Sequence, residues 1–345
     1  MNHIIINKNI HEALASFFAG RNYSNVLVIT DEHTNKDCYE RLDLKSSLPK
    51  HAVIEIKSGE NEKNLKTCEL IWQKMTDMEL DRKALVINVG GGVIGDMGGF
   101  CASTYKRGID FVQVPTTLLS MVDASVGGKL GIDFNGFKNH IGVFQVPACV
   151  IVSILFLETL PFPELRSGYA EVIKHCLIAD KNKWEGLIRR TWQNLDFEEI
   201  VKHSIAIKDQ ITTEDPTEKG KRKTLNFGHT LGHAVESFFL DTSSRLLHGE
   251  AIAIGMICES FLAHQKGFIS ETELDLITAY FLSVYGKIII PGESFEKILD
   301  ITRQDKKNEF DQVQFALIGP VGECSFSINI SEDEMIEALD YYNAN

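Results

Sequence analysis

At 345 residues, 44% of them apolar, the chain is long enough for two hydrophobic cores and exceeds the usual length of one domain. A formal net charge of −13 with no block of lysines and arginines excludes a nucleic-acid partner, which needs a basic face. The opening MNHIIINKNI lacks a basic segment leading into a long apolar one, and the apolar stretch from Val146 to Leu160 is broken by Pro147, Ser153 and Glu158. Neither a leader nor a membrane span is expected, and seven singly spaced cysteines suit a reducing, cytoplasmic setting.

In chain order, Asn25 to Thr30 (NVLVIT) predicts a short buried strand ending at Asp31, Asn64 to Met75 a helix, Ala84 to Val89 (ALVINV) a strand running into glycines, and Asp110 to Pro115 (DFVQVP) a third strand. Strand and helix alternate as in a parallel α/β sheet. Beyond Pro161 long amphipathic stretches take over: Pro163 to Ala179, Phe197 to Thr213, Leu225 to Leu240, His248 to Gln265 and Glu271 to Tyr285. The change of texture places a domain boundary near residue 160, giving domains 1–160 and 161–345. Val313 to Ile318 and Ser325 to Ile330 read as two strands around GPVGEC, followed by a helix whose capping box is Ser331 with Glu334.

Gly90 to Phe100, GGGVIGDMGGF, joins a strand to a helix, and glycines there let backbone N–H groups approach a phosphate at a helix N-terminus. The run does not fit G-x-G-x-x-G with an acidic residue about twenty positions on, and a tight turn would use the same glycines. Asp31 could accept ribose hydroxyls or cap a helix. Within VPTTLLSMVDASVGGK, Thr116 and Thr117 could cap the next helix or offer hydroxyls to a ligand. Asp123 and Lys129 could reach a cleft from irregular backbone or form a surface ion pair. Lys138 and Asn139 put a cation and an amide into NGFKNHIG, read as a glycine-bounded loop.

Glu171 and Lys174 in SGYAEVIKH fall on one side of a helix, as a shared site or an ordinary salt bridge. LNFGHTLGHAVESF sets His229 and His233 one turn apart, and His248 opens HGEAIAIG. Three histidines and an upstream glutamate suit zinc with an open position; polar core histidines are the rival account. Spacing alone makes both His229 and His233 ligands.

GGGVIGD, STYKRG, PTTLLSMVDASVGGK, FKNHIGVF, SGYAEVIKH, LNFGHTLGHA and HGEAIAIGM stand in the order and approximate spacing seen in 3-dehydroquinate synthases. The chain resembles that family densely from Ala84 to Gly255 and loosely elsewhere. The resemblance implies a Rossmann-like NAD-binding domain followed by a mostly α-helical metal- and substrate-binding domain, an active site in the cleft between them, and a homodimer. It implies a divalent metal, zinc or alternatively cobalt, on Glu171, His229 and His248, with His233 contacting substrate instead. NAD contacts would come from Asp31, Glu60, Lys63, Gly91, Gly92, Val93, Asp96, Thr116, Thr117, Lys129, Lys138 and the strand end Phe156 to Thr159. Substrate contacts would come from Arg107, Asp123, Lys129, Asn139, Lys174, Lys208, Arg222, Asn226, His233 and one of Lys306 and Lys307. Glu218 would orient the metal's water or a lysine, with a solvated loop carboxylate as its rival.

The implied substrate is 3-deoxy-D-arabino-heptulosonate 7-phosphate. NAD would oxidise its position 5 transiently, phosphate would leave by β-elimination, hydride would return, and an intramolecular aldol closure would give 3-dehydroquinate. Phe137 and His140 depart from the family's usual loop. Arg222, His233 and the Asp305-Lys306-Lys307 run favour this branch over sister cyclases such as 2-deoxy-scyllo-inosose synthase. A related NAD alcohol dehydrogenase and a non-catalytic protein of the same fold are the other readings.

Overall fold

A computed structural model describes residues 3–135, 137–240, 242–305 and 313–345, without the side chains of 304 and 305. Lys306 and Lys307 lie outside the described residues. The chain divides into two compact units, Met1–Leu165 with Phe197–Asp209, and Arg166–Asp196 with Gln210–Asn345.

The first unit holds strands β1 (Ile4–Ile6), β2 (Val26–Asp31), β3 (His51–Ile56), β4 (Leu85–Gly90), β5 (Asp110–Pro115), β6 (Lys129–Phe134), β7 (Phe137–Phe144) and β8 (Cys149–Val152). Its helices include α1 (Ile10–Phe18), α2 (Glu32–Thr34), α3 (Leu65–Asp77) and α4 (Gly92–Thr104). Six strands form a sheet in the order β1-β8-β5-β4-β2-β3, with every pairing parallel. The central strands β2, β4 and β5 are nearly continuous apolar runs because both faces are covered. Leu27, Ile29, Val86 and Phe111 from the sheet meet Ile71 and Met75 of α3 and Met97 of α4 in one buried cluster. Each such side chain contributes about 1.5–3 kcal/mol on burial. Gly98 lets α4 lie this close to β4: a Cβ there would fall 2.0 Å from Asn88 Oδ1.

From β3 the chain crosses back over β2 to β4, so the strand order reverses between β2 and β4. Their carboxyl ends, Asp31 and Gly90, flank the switch point at which open α/β sheets receive ligands.

The stretch with Lys138 and Asn139 is not a loop. It belongs to β7, which pairs antiparallel with β6 through Leu130↔Val143 and Ile132↔Ile141. Leu130 and Ile132 anchor the hairpin in the core, while exposed Phe137 and Phe144 and the polar residues between them hide the two-residue alternation that marks a strand.

In the second unit and across its borders run α5 (Phe162–Ala179), α6 (Lys181–Ile188), α7 (Phe197–Glu214), α8 (His229–Phe239), α9 (His248–Gln265), α10 (Glu271–Tyr285), α11 (Phe295–Asp305) and α12 (Glu332–Ala344). Strands β9 (Val313–Ile318) and β10 (Cys324–Ile330) form a bulged antiparallel pair. Ser331 and Glu334 cap α12 reciprocally, as the sequence predicts. The helix expected from Leu225 begins instead at His229, because Gly228 at φ +80° stops propagation and a 3-10 turn precedes it. No helix among the described residues is long and apolar enough to cross a membrane.

Candidate active site

In the first unit, Asp31 ends β2, and Gly91 to Val93, Thr116 and Thr117, Glu60 and Lys63, and Phe156 to Thr159 follow strand ends at the carboxyl edge of the sheet. Gly91 caps the start of α4, where a Cβ would press on Thr117 at 3.2 Å. Asp31 caps α2, its Oδ1 accepting from the N–H groups of His33 at 3.0 Å and Thr34 at 2.7 Å. Thr117 has a similar local role, its hydroxyl accepting from Ser120 N at 3.1 Å. Phe156 is buried, and the Thr159 hydroxyl donates to Asp37 O at 3.4 Å.

Lys63 ties this edge together. Its buried ammonium donates to Asp96 Oδ2 and Asn139 Oδ1, each at 2.6 Å, and its carbonyl accepts from Asp133 N at 2.8 Å. Asp133 Oδ1 in turn accepts from Asn139 N at 2.7 Å, so the hairpin is latched to the segment after β3. Burial alone would lower the Lys63 pKa, but the charges of Asp96 and Glu60 prevail and hold it above its ordinary value. Burial pushes the Asp96 carboxyl up against the opposing pull of Lys63.

Lys208, also buried, donates to Asp123 O at 2.6 Å and pairs with the Asp123 carboxylate, so two expected substrate residues meet within this unit. Lys129 is exposed at the start of β6 and Lys138 is half-buried on β7. Arg107 sits apart from these groups: it is exposed on the turn from α4 to β5, at the amino edge, with φ +69°.

In the second unit, Glu171 and Lys174 on α5 form an i,i+3 ion pair with side-chain exposures of 0% and 1%. Out of water such a pair needs good geometry and further partners, unlike a surface bridge. Glu171 Oε1 lies 3.5 Å from His229 Nε2 and 3.9 Å from His248 Nε2, while Oε2 faces Lys174. His229 Nδ1 lies 3.1 Å from Phe227 O, and His248 Nδ1 lies 3.3 Å from Glu236 Oε2. A carbonyl and a carboxylate only accept, so each Nδ1 carries a hydrogen, which leaves the Nε2 atoms facing Glu171 as the ring positions that could ligate a metal. Tetrahedral zinc with bonds of about 2.0 Å holds its ligand atoms roughly 3.3 Å apart, close to these separations. His233 belongs to the same cluster: the three histidines each bring a nitrogen within 4.8 Å of the others, and the His229 and His233 rings lie 5.0 Å apart. The three histidines are close enough to share one cation, and Glu171 Oε1 lies within 4 Å of the Nε2 atoms of two of them.

On the segment that leads to α8, Glu218, at φ +59°, accepts from Asn226 Nδ2 at 2.8 Å. Arg222 is buried, its guanidinium donating to Pro216 O at 2.9 Å. The Asp215 carboxylate holds this turn by accepting from the N–H groups of Lys219, Gly220 and Arg222. Burial would raise its pKa, but those bonds win and keep it below its ordinary 3.8.

A sequence model described as 3-dehydroquinate synthase N-terminal matches residues 53–167, and one described as 3-dehydroquinate synthase C-terminal matches 168–308. A 3-dehydroquinate synthase of Parabacteroides distasonis is 34% identical over 98% of this chain and 97% of its own. The chain belongs to the 3-dehydroquinate synthase family. Among solved structures, a 2-epi-5-epi-valiolone synthase from Streptomyces hygroscopicus, with NAD+ and Zn2+ bound, aligns at TM-score 0.87 and 24% identity over 99% of this chain and 96% of that one. A 2-deoxy-scyllo-inosose synthase, complexed with carbaglucose-6-phosphate, NAD+ and Co2+, aligns at 0.85 and 23% over 98% and 96%. At such identities the likeness shows the shared fold: a parallel α/β sheet with helices, followed by a helical C-terminal region.

Sequence reading of this family member missed Glu236 and Asp215. Glu236 lies one turn beyond His233 and two beyond His229, so the helical face shared by all three was visible in the spacing. Asp215, just before Pro216, carried a turn signal that was not followed.

Proposed function

We propose that the chain converts 3-deoxy-D-arabino-heptulosonate 7-phosphate to 3-dehydroquinate and phosphate. NAD would lie along the carboxyl edge of the first unit's sheet, and a divalent metal, zinc by preference and cobalt as the alternative, would sit on Glu171, His229 and His248. The observation that carries this reading is the buried Glu171 carboxylate, with one oxygen toward two Nε2 atoms and the other toward Lys174. A His2Glu donor set with an open position suits zinc. When bound, the metal supplies a Lewis acid that acidifies a hydroxyl and NAD supplies a reversible hydride acceptor.

The chain's own groups do the rest. Lys174, Lys208 and Arg222 bring cations for a substrate bearing a phosphate and a carboxylate, in a protein whose net charge would otherwise repel it. His233, left out of the ligand set, contacts substrate, with Asn226 held by Glu218. Asp123 fixes the Lys208 ammonium, and Asn139 is presented by Lys63. A homodimer in the cytoplasm completes the reading, and seven free cysteines suit that compartment.

The test supplies the sugar phosphate and trace NAD, with and without a chelator, and follows phosphate and dehydroquinate. Chelator-sensitive release of both without net NADH is expected. Net NADH with a polyol would replace this reading with a dehydrogenase, and no release from protein that binds NAD and metal would replace it with a sister cyclase or a non-enzyme.

A further inference from the structure

Helix α8 has at its N-cap Gly228, which has no side chain with which to cap it. Its first N–H groups are satisfied from another helix. Glu259, fully buried on α9, accepts from Gly228 N at 2.6 Å through Oε2, and from Thr230 N at 3.0 Å and Leu231 N at 3.2 Å through Oε1. These three residues bracket His229. Glu259 stands eleven residues after His248, close to three full turns, so both lie on the face of α9 that meets α8. Between them Gly255 lets the helices touch, since a Cβ there would fall 2.0 Å from Gly228 O.

We infer that Glu259 is a positioning residue for the metal centre, holding the turn that carries His229 in register with His248. A carboxylate at a helix N-terminus makes charge-assisted bonds to N–H groups and complements the helix dipole. One carboxylate that grips both sides of a ligand fixes where that ligand's ring starts from, as partners beyond the ligands do in metal sites. The inference rests on the reading of Glu171, His229 and His248 as ligands.

The test measures Zn2+ affinity of the full chain by competition with a chromophoric chelator, and the visible absorption of the Co2+ form. Glu259→Gln keeps the shape but replaces one acceptor oxygen with an N–H2 that opposes a backbone donor. It should weaken Zn2+ binding about 10–100-fold and alter the Co2+ bands, while Ile257→Val, a core change on the same helix, leaves both unchanged and His229→Ala abolishes binding. Glu259→Asp, which keeps the charge but falls short, should weaken binding in the same direction and serves if the Gln protein does not fold. Unchanged Zn2+ affinity and Co2+ bands in either folded Glu259 variant, with binding lost in His229→Ala, would overturn the inference and leave the metal site standing. Unchanged affinity in His229→Ala would overturn the ligand reading and this inference with it.

Discussion

His229 and His233 look alike in sequence, one turn apart on α8, yet their surroundings differ: the His229 Nε2 faces Glu171 and its Nδ1 faces a carbonyl. Replacing His229 or His248 with alanine should therefore remove both bound metal and turnover, read by metal analysis and phosphate release. His233→Ala should retain metal and lose turnover by roughly tenfold or more, as for a group that contacts substrate rather than metal. Loss of metal from His233→Ala would transfer it to the ligand set. The histidines were legible from spacing, but a choice among them was not, because the carboxylate that would favour His229 and His248 sits on α5, far upstream. Family resemblance supplied what periodicity could not.

At the scale of elements, two small devices hold expected binding residues, and each makes a prediction. Asp215 braces the turn that ends in Arg222, and its folded pKa lies below its unfolded one. Its contribution is present above the ordinary 3.8 and is lost as pH falls through the lower folded value. Thermal melts should show Asp215→Asn less stable than the parent at neutral pH, with the gap closing in acid; a gap that persists there would remove the charge from the explanation. The Lys63 latch holds a carboxyl shifted the other way, although its effect too fades in acid. Lys63→Ala strands the Asp96 carboxylate and should cost about 3–5 kcal/mol in denaturant unfolding at neutral pH. Burial raises Asp96 in the fold, so this penalty applies above its folded pKa and is relieved as pH falls through it. The hairpin itself escaped the sequence reading because β7 is largely exposed and polar. The long helices α9 and α10 were read to the residue, although α9 is buried on nearly every face rather than amphipathic, and Ser270 caps α10. The start of α8 was misplaced because a left-handed glycine outranks an apolar pattern.

For the whole molecule, strand and helix alternation gave the α/β class, but not the strand order that puts Asp31 and Gly90 on either side of a switch point. That order depends on pairings between distant segments, on which local composition is silent. The reaction assigned to the family returns the hydride it borrows. NAD far below the substrate concentration should therefore support many turnovers, followed as phosphate released per NAD; one product per NAD would mark a consuming redox enzyme instead.

An ammonium has three hydrogens to give, and Lys63 already gives two, to Asp96 and Asn139. An anionic ligand at this edge can draw one bond from Lys63 at no cost to the latch, whereas a second must be taken from the carboxylate of α4 or the amide of the hairpin. From the second bond onward, an anionic ligand and the hairpin would draw on the same hydrogens, so Lys63 limits how many bonds the two can share.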